Sequence, residues 1–158
     1  MTNDAPRCVR LLEEVQQHLH DELLPFWRTH GLDEECGGYL TYLNSRGAPT
    51  GETVKTLLCQ ARMIYTYSSL HRAGHGEGAY LSMAKHGVDF VVKHFWDEEH
   101  GGWFWTAERD GTPLNMSKLT YGHSFMIYAL SEYAIASGDA KARDWALQVS
   151  QPIITRQQ

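Results

Sequence analysis

Asp33-Glu34-Glu35-Cys36-Gly37-Gly38-Tyr39 returns as Asp97-Glu98-Glu99-His100-Gly101-Gly102-Trp103, an offset of 64 residues. The same offset carries Gly47 onto Gly111 and Pro49 onto Pro113. With one residue deleted it carries Lys55 onto Lys118 and Tyr65 onto Tyr128. An ordered set of this kind marks an internal repeat, and a repeat sets the architecture before any local assignment is made. After each double glycine comes a short aromatic and β-branched stretch, Tyr39–Tyr42 or Trp103–Thr106, and then a Gly/Pro turn, Arg46–Pro49 or Asp110–Pro113. That texture predicts a small β-hairpin-like loop in each repeat.

Helical periodicity fills the rest. A first helix is expected from about Pro6 to Leu24, with Val9, Leu12, Val15, Leu19 and Leu23 on one face, ended by Pro25. A second spans about Val54 to His71, with Leu57, Leu58, Ala61, Tyr65 and Ser68 inward. A third runs from about Gly78 to His94 around Met83, Gly87, Phe90 and Val91. A fourth runs from about Ser117 to Ala136, with Asn115 or Ser117 as its cap. After the turn Ser137-Gly138-Asp139, Asp139 caps a fifth helix holding Ala142, Trp145, Ala146, Val149 and Ile153. Helix, glycine-rich loop and helix, repeated, describe stacked α-hairpins that bury their apolar faces only against neighbours. The fold class is all-α, stacked helical hairpins with short β-hairpin loops. The ending, Gln151–Gln158, carries no capping signature.

Composition agrees with one packed domain and excludes several classes. The 158 residues are 42% hydrophobic and 21% charged, which supports a core and argues against intrinsic disorder. Fourteen Lys plus Arg against nineteen Asp plus Glu give a net charge of −5. No basic stripe is present to displace counterions from a phosphate backbone, so nucleic acid is not an expected partner. The first thirty residues are broken by Asp4, Arg7, Arg10, Glu13, Glu14, Asp21 and Glu22, leaving no signal core or membrane span. Cys8, Cys36 and Cys59 are odd in number and widely spaced, without a CxxC, so neither a disulfide framework nor a zinc knot is indicated. A cytoplasmic protein is expected. No Gly-rich phosphate loop or nicotinamide fingerprint occurs, and no cofactor is expected.

The strings Lys55-Thr56-Leu57-Leu58-Cys59-Gln60-Ala61-Arg62 and Lys118-Leu119-Thr120-Tyr121-Gly122-His123-Ser124-Phe125, with Leu23–Trp27 ahead of them, resemble the N-acylglucosamine 2-epimerase family, which includes cellobiose 2-epimerases and aldose–ketose isomerases. The resemblance implies an α/α barrel of six helical hairpins, of which this chain matches the amino-terminal two-fifths: a partial α/α toroid, with residues 1–158 as a single incomplete α/α-barrel domain. It implies proton abstraction next to the sugar carbonyl through an enediol intermediate, with a monosaccharide or disaccharide as substrate. Arg62 matches the family's arginine near the sugar oxygens, and its permanently charged fork suits a developing oxyanion. Tyr121 matches the tyrosine of a K-x-x-Y motif, and its hydroxyl can donate to a sugar oxygen. The family's acid–base histidines lie on later helices, so the chain alone is expected to show no turnover.

Repeat arithmetic places His123 where Gln60 stands in the first repeat, and both are expected to line the pocket. Trp105, with Trp103, Tyr39 and Tyr42, is suited to stacking on sugar rings and equally to packing the hairpins. Lys55 and Lys118 read as structural, satisfying loop carbonyls or acids such as Glu35 and Glu99. His18 and His20 point to opposite sides of a helix, and the His71–His75 spacing reads as a loop, so no metal site is expected. Two other readings remain open at this point. A glycoside hydrolase on the same architecture needs two carboxylates flanking the scissile bond. An interaction fragment would pair its exposed hairpin edge with another chain, a second copy being one candidate.

Overall fold

The computed structural model describes residues 5–155, with side chains from 6 to 148. Six α-helices dominate: α1 (Ala5–His18), α2 (Leu24–His30), α3 (Leu57–Arg72), α4 (Ala79–His94), α5 (Thr120–Ser137) and α6 (Ala140–Thr155). Helix α3 packs against α4 and α5, and α5 against α6, so α3 and α5 form one layer and α4 and α6 back it. Their joint core holds Leu57, Ala61, Ile64, Val91, Met126, Ala129 and Leu130. Thr56 caps α3, its hydroxyl accepting the Cys59 N–H at 3.2 Å. Asp139 caps α6 as expected, accepting the Lys141 N–H at 2.9 Å.

The loops between hairpins lie at the amino-terminal ends of α3 and α5. Strands β1 (Lys55–Thr56), β2 (Thr106–Ala107) and β3 (Pro113–Asn115) form an antiparallel sheet in the order β1-β2-β3. Only the second loop makes a two-strand hairpin. The first carries single bridges, Leu32 to Tyr39 and Leu43 to Pro49, and lends its last residues to the neighbour's sheet through Lys55 opposite Ala107. Both double glycines adopt positive φ, 89° and 66° at Gly37 and Gly38, a region closed to most side chains.

Three further expectations differ from the structure. Pro25 does not end the first helix. A π-helical turn, Leu19–Leu23, joins α1 to α2, and Pro25 sits in the first turn of α2, where a missing N–H costs no intrahelical bond. The apolar stripe of α1 exists but has no cover among the described residues, for Val9, Leu12 and Val15 are all exposed. Helix α5 starts at Thr120 without a side-chain cap, because Asn115 spends its carbonyl oxygen on the Ser117 N–H at 2.9 Å, in a turn before the helix. The expectations for Val149, Ile153 and residues 151–158 lie outside the described side chains.

Candidate functional site

Helix α5 is apolar on every side, with Glu132 as its one acidic or basic residue apart from His123. Such a helix is ordinarily enclosed all round, yet Tyr121, Tyr128 and Ile135, two turns apart in succession, lie exposed along one stripe. Helix α3 presents the matching stripe, and the two are in register through the repeat. Arg62 lies over the Phe125 ring, 5.1 Å from its centroid. One turn on, Tyr65 stacks on Tyr128 with centroids 4.0 Å apart and planes 17° from parallel. One turn further, Ser69 donates to Glu132 at 3.2 Å, and Arg72 donates to both of its oxygens at 2.8 and 3.0 Å.

Arg62 and Tyr121 meet around a common aromatic ring. Tyr121 packs edge-on against Phe125, centroids 5.0 Å apart, and is itself 54% exposed. Beside them Ser124, Phe125 and Tyr128 line an open depression of about 400 Å³. Trp105 stands at the same end of the helices. Its C=O accepts the first N–H of α3, from Leu57, at 3.0 Å, and its own N–H donates to Asn115 C=O at 2.9 Å. Its ring covers Gly122, where an added Cβ would lie 3.1 Å from the indole. The surface is thus a cation, a phenol and aromatic faces beside a hollow, the combination that binds hydroxylated rings through stacking and charge-assisted hydrogen bonds. Phe125 and Tyr128 were not among the residues singled out from sequence, although the repeat offset that aligned Tyr65 with Tyr128 also aligns Arg62 with Phe125.

Gln60 and His123 are placed differently from the expectation that both line a pocket. Gln60 is fully buried. Its Oε1 accepts the Tyr39 N–H at 2.9 Å and its Nε2 donates to the Tyr39 C=O at 2.8 Å. His123 Nε2 accepts the Trp103 N–H at 2.9 Å. Each pins the residue after a double glycine, which explains why two polar residues sit at equivalent helix starts. Tyr39 and Trp103 are core as well. The Tyr39 hydroxyl donates to Met83 C=O at 2.7 Å, and Trp103 packs with Trp96 and Trp145. Of the four aromatics considered for stacking, only Trp105 and Tyr42 keep exposed surface.

Lys55 and Lys118 are structural, but their acids are Asp33 and Asp97. Lys55 Nζ and the Asp33 carboxylate, both without exposed surface, lie 2.9 Å apart. Nζ also donates to Gly37 C=O at 2.5 Å and Arg109 C=O at 2.7 Å. Arg109 reaches across from the β2–β3 turn to grip both Asp33 oxygens at 2.9 Å, and it takes Glu35 at 3.0 Å. Burial alone would raise the Asp33 carboxyl, yet the hydrogen bonds from Arg109, Lys55 and the Cys36 N–H overcome it and hold the group at about 2. Lys118 donates to Asp97 at 2.6 Å on a more open surface. Neither loop carboxylate is therefore free to act as an acid or base. Glu132, the carboxylate on the exposed face of α5, is spent on Arg72 and Ser69. The paired carboxylates that glycoside hydrolysis needs are not assembled among the described residues. Nor is any group of three or more His, Cys, Asp or Glu arranged to hold a metal ion among them. None of the described helices is long and apolar enough to cross a membrane.

The fold is an arc of an α/α barrel whose bare layer carries this cation-and-aromatic wall. The chain belongs to the N-acylglucosamine 2-epimerase (GlcNAc 2-epimerase) family, whose model matches residues 38–157. It is 32% identical over 139 residues to a cellobiose 2-epimerase of Dictyoglomus turgidum, covering 88% of this chain and 35% of the relative. The solved cellobiose 2-epimerase of Spirochaeta thermophila superposes with a TM-score of 0.91 at 31% identity, over 99% of this chain and 38% of that one. A GH76 alpha-mannanase of Bacteroides thetaiotaomicron, at 21% identity and a TM-score of 0.64 over 78% of this chain and 33% of that one, shares the fold. The chain spans about a third of the length of the curated relatives it matches.

Proposed function

We propose that this chain supplies the amino-terminal wall of a sugar 2-epimerase or aldose–ketose isomerase. The reaction removes the proton α to the carbonyl of the ring-opened sugar, passes through a planar enediol, and returns a proton to the other face or to the neighbouring carbon. The difficult charge is that on the enediolate oxygen, and a fixed donor aimed at it lowers the barrier. Arg62 is the donor in this reading. Phe125 beneath it holds the guanidinium on the open face of α3, and its planar charge is permanent. Tyr121 hydrogen-bonds a sugar hydroxyl, and Trp105 with Tyr128 offers ring faces. A monosaccharide or disaccharide fits this surface. The bases that move the proton are assigned to later hairpins of the barrel, so the 158 residues alone are inactive.

The observation that carries the reading is the meeting of Arg62 and Tyr121 on one aromatic ring beside a hollow. Solvent deuterium incorporation at C2 of cellobiose, mannose or an N-acetylhexosamine tests it. The isolated chain should incorporate none. A chimera in which this chain replaces the matching part of a cellobiose 2-epimerase should incorporate label, and Arg62→Ala in that chimera should cost about 10²–10³ in rate, as for loss of an oxyanion donor. Exchange by the isolated chain would show that the base is misassigned. Full activity of the Arg62→Ala chimera would remove Arg62 from the mechanism.

A further inference from the structure

The two repeats fasten the same backbone position with different chemistry. In the first loop an amide, Gln60, holds both the N–H and the C=O of Tyr39. In the second an imidazole, His123, holds the N–H of Trp103 at 2.9 Å. An amide accepts at any ordinary pH. An imidazole nitrogen accepts only while it is neutral. We infer that His123 is a proton-operated latch on the second loop: neutral, it fixes the backbone at Trp103; protonated, it lets go of it while the Gln60 loop stays closed. This makes His123 a positioning residue for the loop segment at Trp103. The inference rests on the hydrogen bond and holds whether or not the sugar reading does.

The surroundings favour the neutral form. Burial, aided by the nearby Lys118 ammonium, holds the His123 imidazole below its ordinary value. Acid therefore loosens the latch: its stabilising contribution is whole above the ordinary imidazole value of about 6.5 and is lost as pH falls from there through the lowered value in the fold. The other charged groups on this side act otherwise. Lys118 is engaged with Asp97 at 2.6 Å, and that carboxylate, held at about 2 by Lys118 and the N–H groups of His100 and Glu99, stays ionised throughout. His100 lies on the solvent side of the loop, 3.5 Å from the same Asp97 oxygen. His94, lowered chiefly by burial and facing Asp110, lies beneath Gly111. Its counterpart His30 lies beneath Gly47 in the first loop.

Amide hydrogen exchange resolved by residue, between pH 7.5 and 5.0, reads the latch directly. Corrected for intrinsic rates, protection at Trp103 should fall at least tenfold relative to Tyr39 across that range. His123→Gln, which copies the first repeat, should hold the ratio constant. A ratio that does not move in the native chain overturns the inference, and so does an unchanged fall in His123→Gln. Should that variant fail to fold, the native ratio decides alone, with Tyr39 reporting that the rest of the molecule is intact.

Discussion

Replacing Lys55 by Met separates the energetics of the two repeats. The change keeps a linear apolar stem over the Phe90 ring, which Nζ now faces at 4.3 Å, and removes only the charge and its bonds. Three acceptors lose their donor: Asp33 Oδ2, Gly37 C=O and Arg109 C=O. Asp33 keeps Arg109 and the Cys36 N–H, so the carboxylate is not stranded. The two carbonyls lose a charge-assisted bond in a site where neither Lys55 nor Asp33 shows surface. A buried pair broken on one side costs about 3–5 kcal/mol, against a total stability of about 5–15 kcal/mol. With a urea slope near 2 kcal/mol/M, the unfolding midpoint by circular dichroism should drop by about 2 M at unchanged slope. Lys118→Met is the internal control. It breaks a shorter contact, 2.6 Å, but between side chains 27% and 14% exposed, where solvent takes over the bond, and its midpoint shift should be much smaller. Equal shifts in the two variants, or a loss below about 1 kcal/mol for Lys55→Met, would refute the claim that burial rather than distance sets the worth of these pairs.

Two further outcomes follow from packing and from charge. Gly87→Ala points a methyl into the Tyr39 ring, which is fully buried and held by its hydroxyl on Met83 C=O; thermal unfolding should show a loss of about 1–3 kcal/mol, with the Tyr39 amide losing exchange protection first. Asp33, held at about 2 in the fold against about 3.9 in an unfolded chain, contributes stability that is whole above pH 4 and is lost as pH falls toward 2. Asp33→Asn should lower the melting temperature at pH 7 and flatten its fall between pH 4 and 2; an unchanged acid limb would place the acid sensitivity elsewhere.

The hairpin repeat was legible because its signals are local: a double glycine at positive φ, an acid that folds back on its own loop, and a helix start at fixed spacing. Boundaries were less so where two rules compete. Pro25 reads as a terminator by its missing N–H, but a π-helical turn just before it puts that N–H in a helix's first turn, where none is required. Asn115 has the chemistry of a cap and spends it one turn early. At the candidate site, Arg62 and Tyr121 are named through motif resemblance, while their contact with Phe125 was not read, although the offset aligns Arg62 with it. Gln60 and His123 were read as facing the hollow because equivalence was visible and direction was not. A side chain's direction depends on which backbone stands opposite it, here the glycine loops, which a one-dimensional pattern does not show. For Lys55 the sequence reading offers loop carbonyls or acids such as Glu35; the lysine does take the carbonyls of Gly37 and Arg109, but its acid is Asp33, which begins the motif, and Glu35 is taken by Arg109.

The repeat therefore constrains backbone more tightly than it constrains chemistry. Asp33–Lys55 and Asp97–Lys118 make the same bond, Gln60 and His123 pin the same residue, and Tyr39 and Trp103 fill the same space. With the scaffold fixed by these pairs, the bare faces of α3 and α5 are free to differ: Arg62 in one stands opposite Phe125 in the other, and Ser69 opposite Glu132. Tyr121, Tyr128 and Ile135 set large side chains on the exposed stripe of a helix with few charged residues. The cation facing that stripe near the loops is the Arg62 guanidinium of α3, over the Phe125 ring. With that cation at the loop end and the Arg72–Glu132 ion pair at the other, the rings of Phe125, Tyr65 and Tyr128 form the apolar middle of the wall, so the two polar ends are fixed by the same register that stacks the rings.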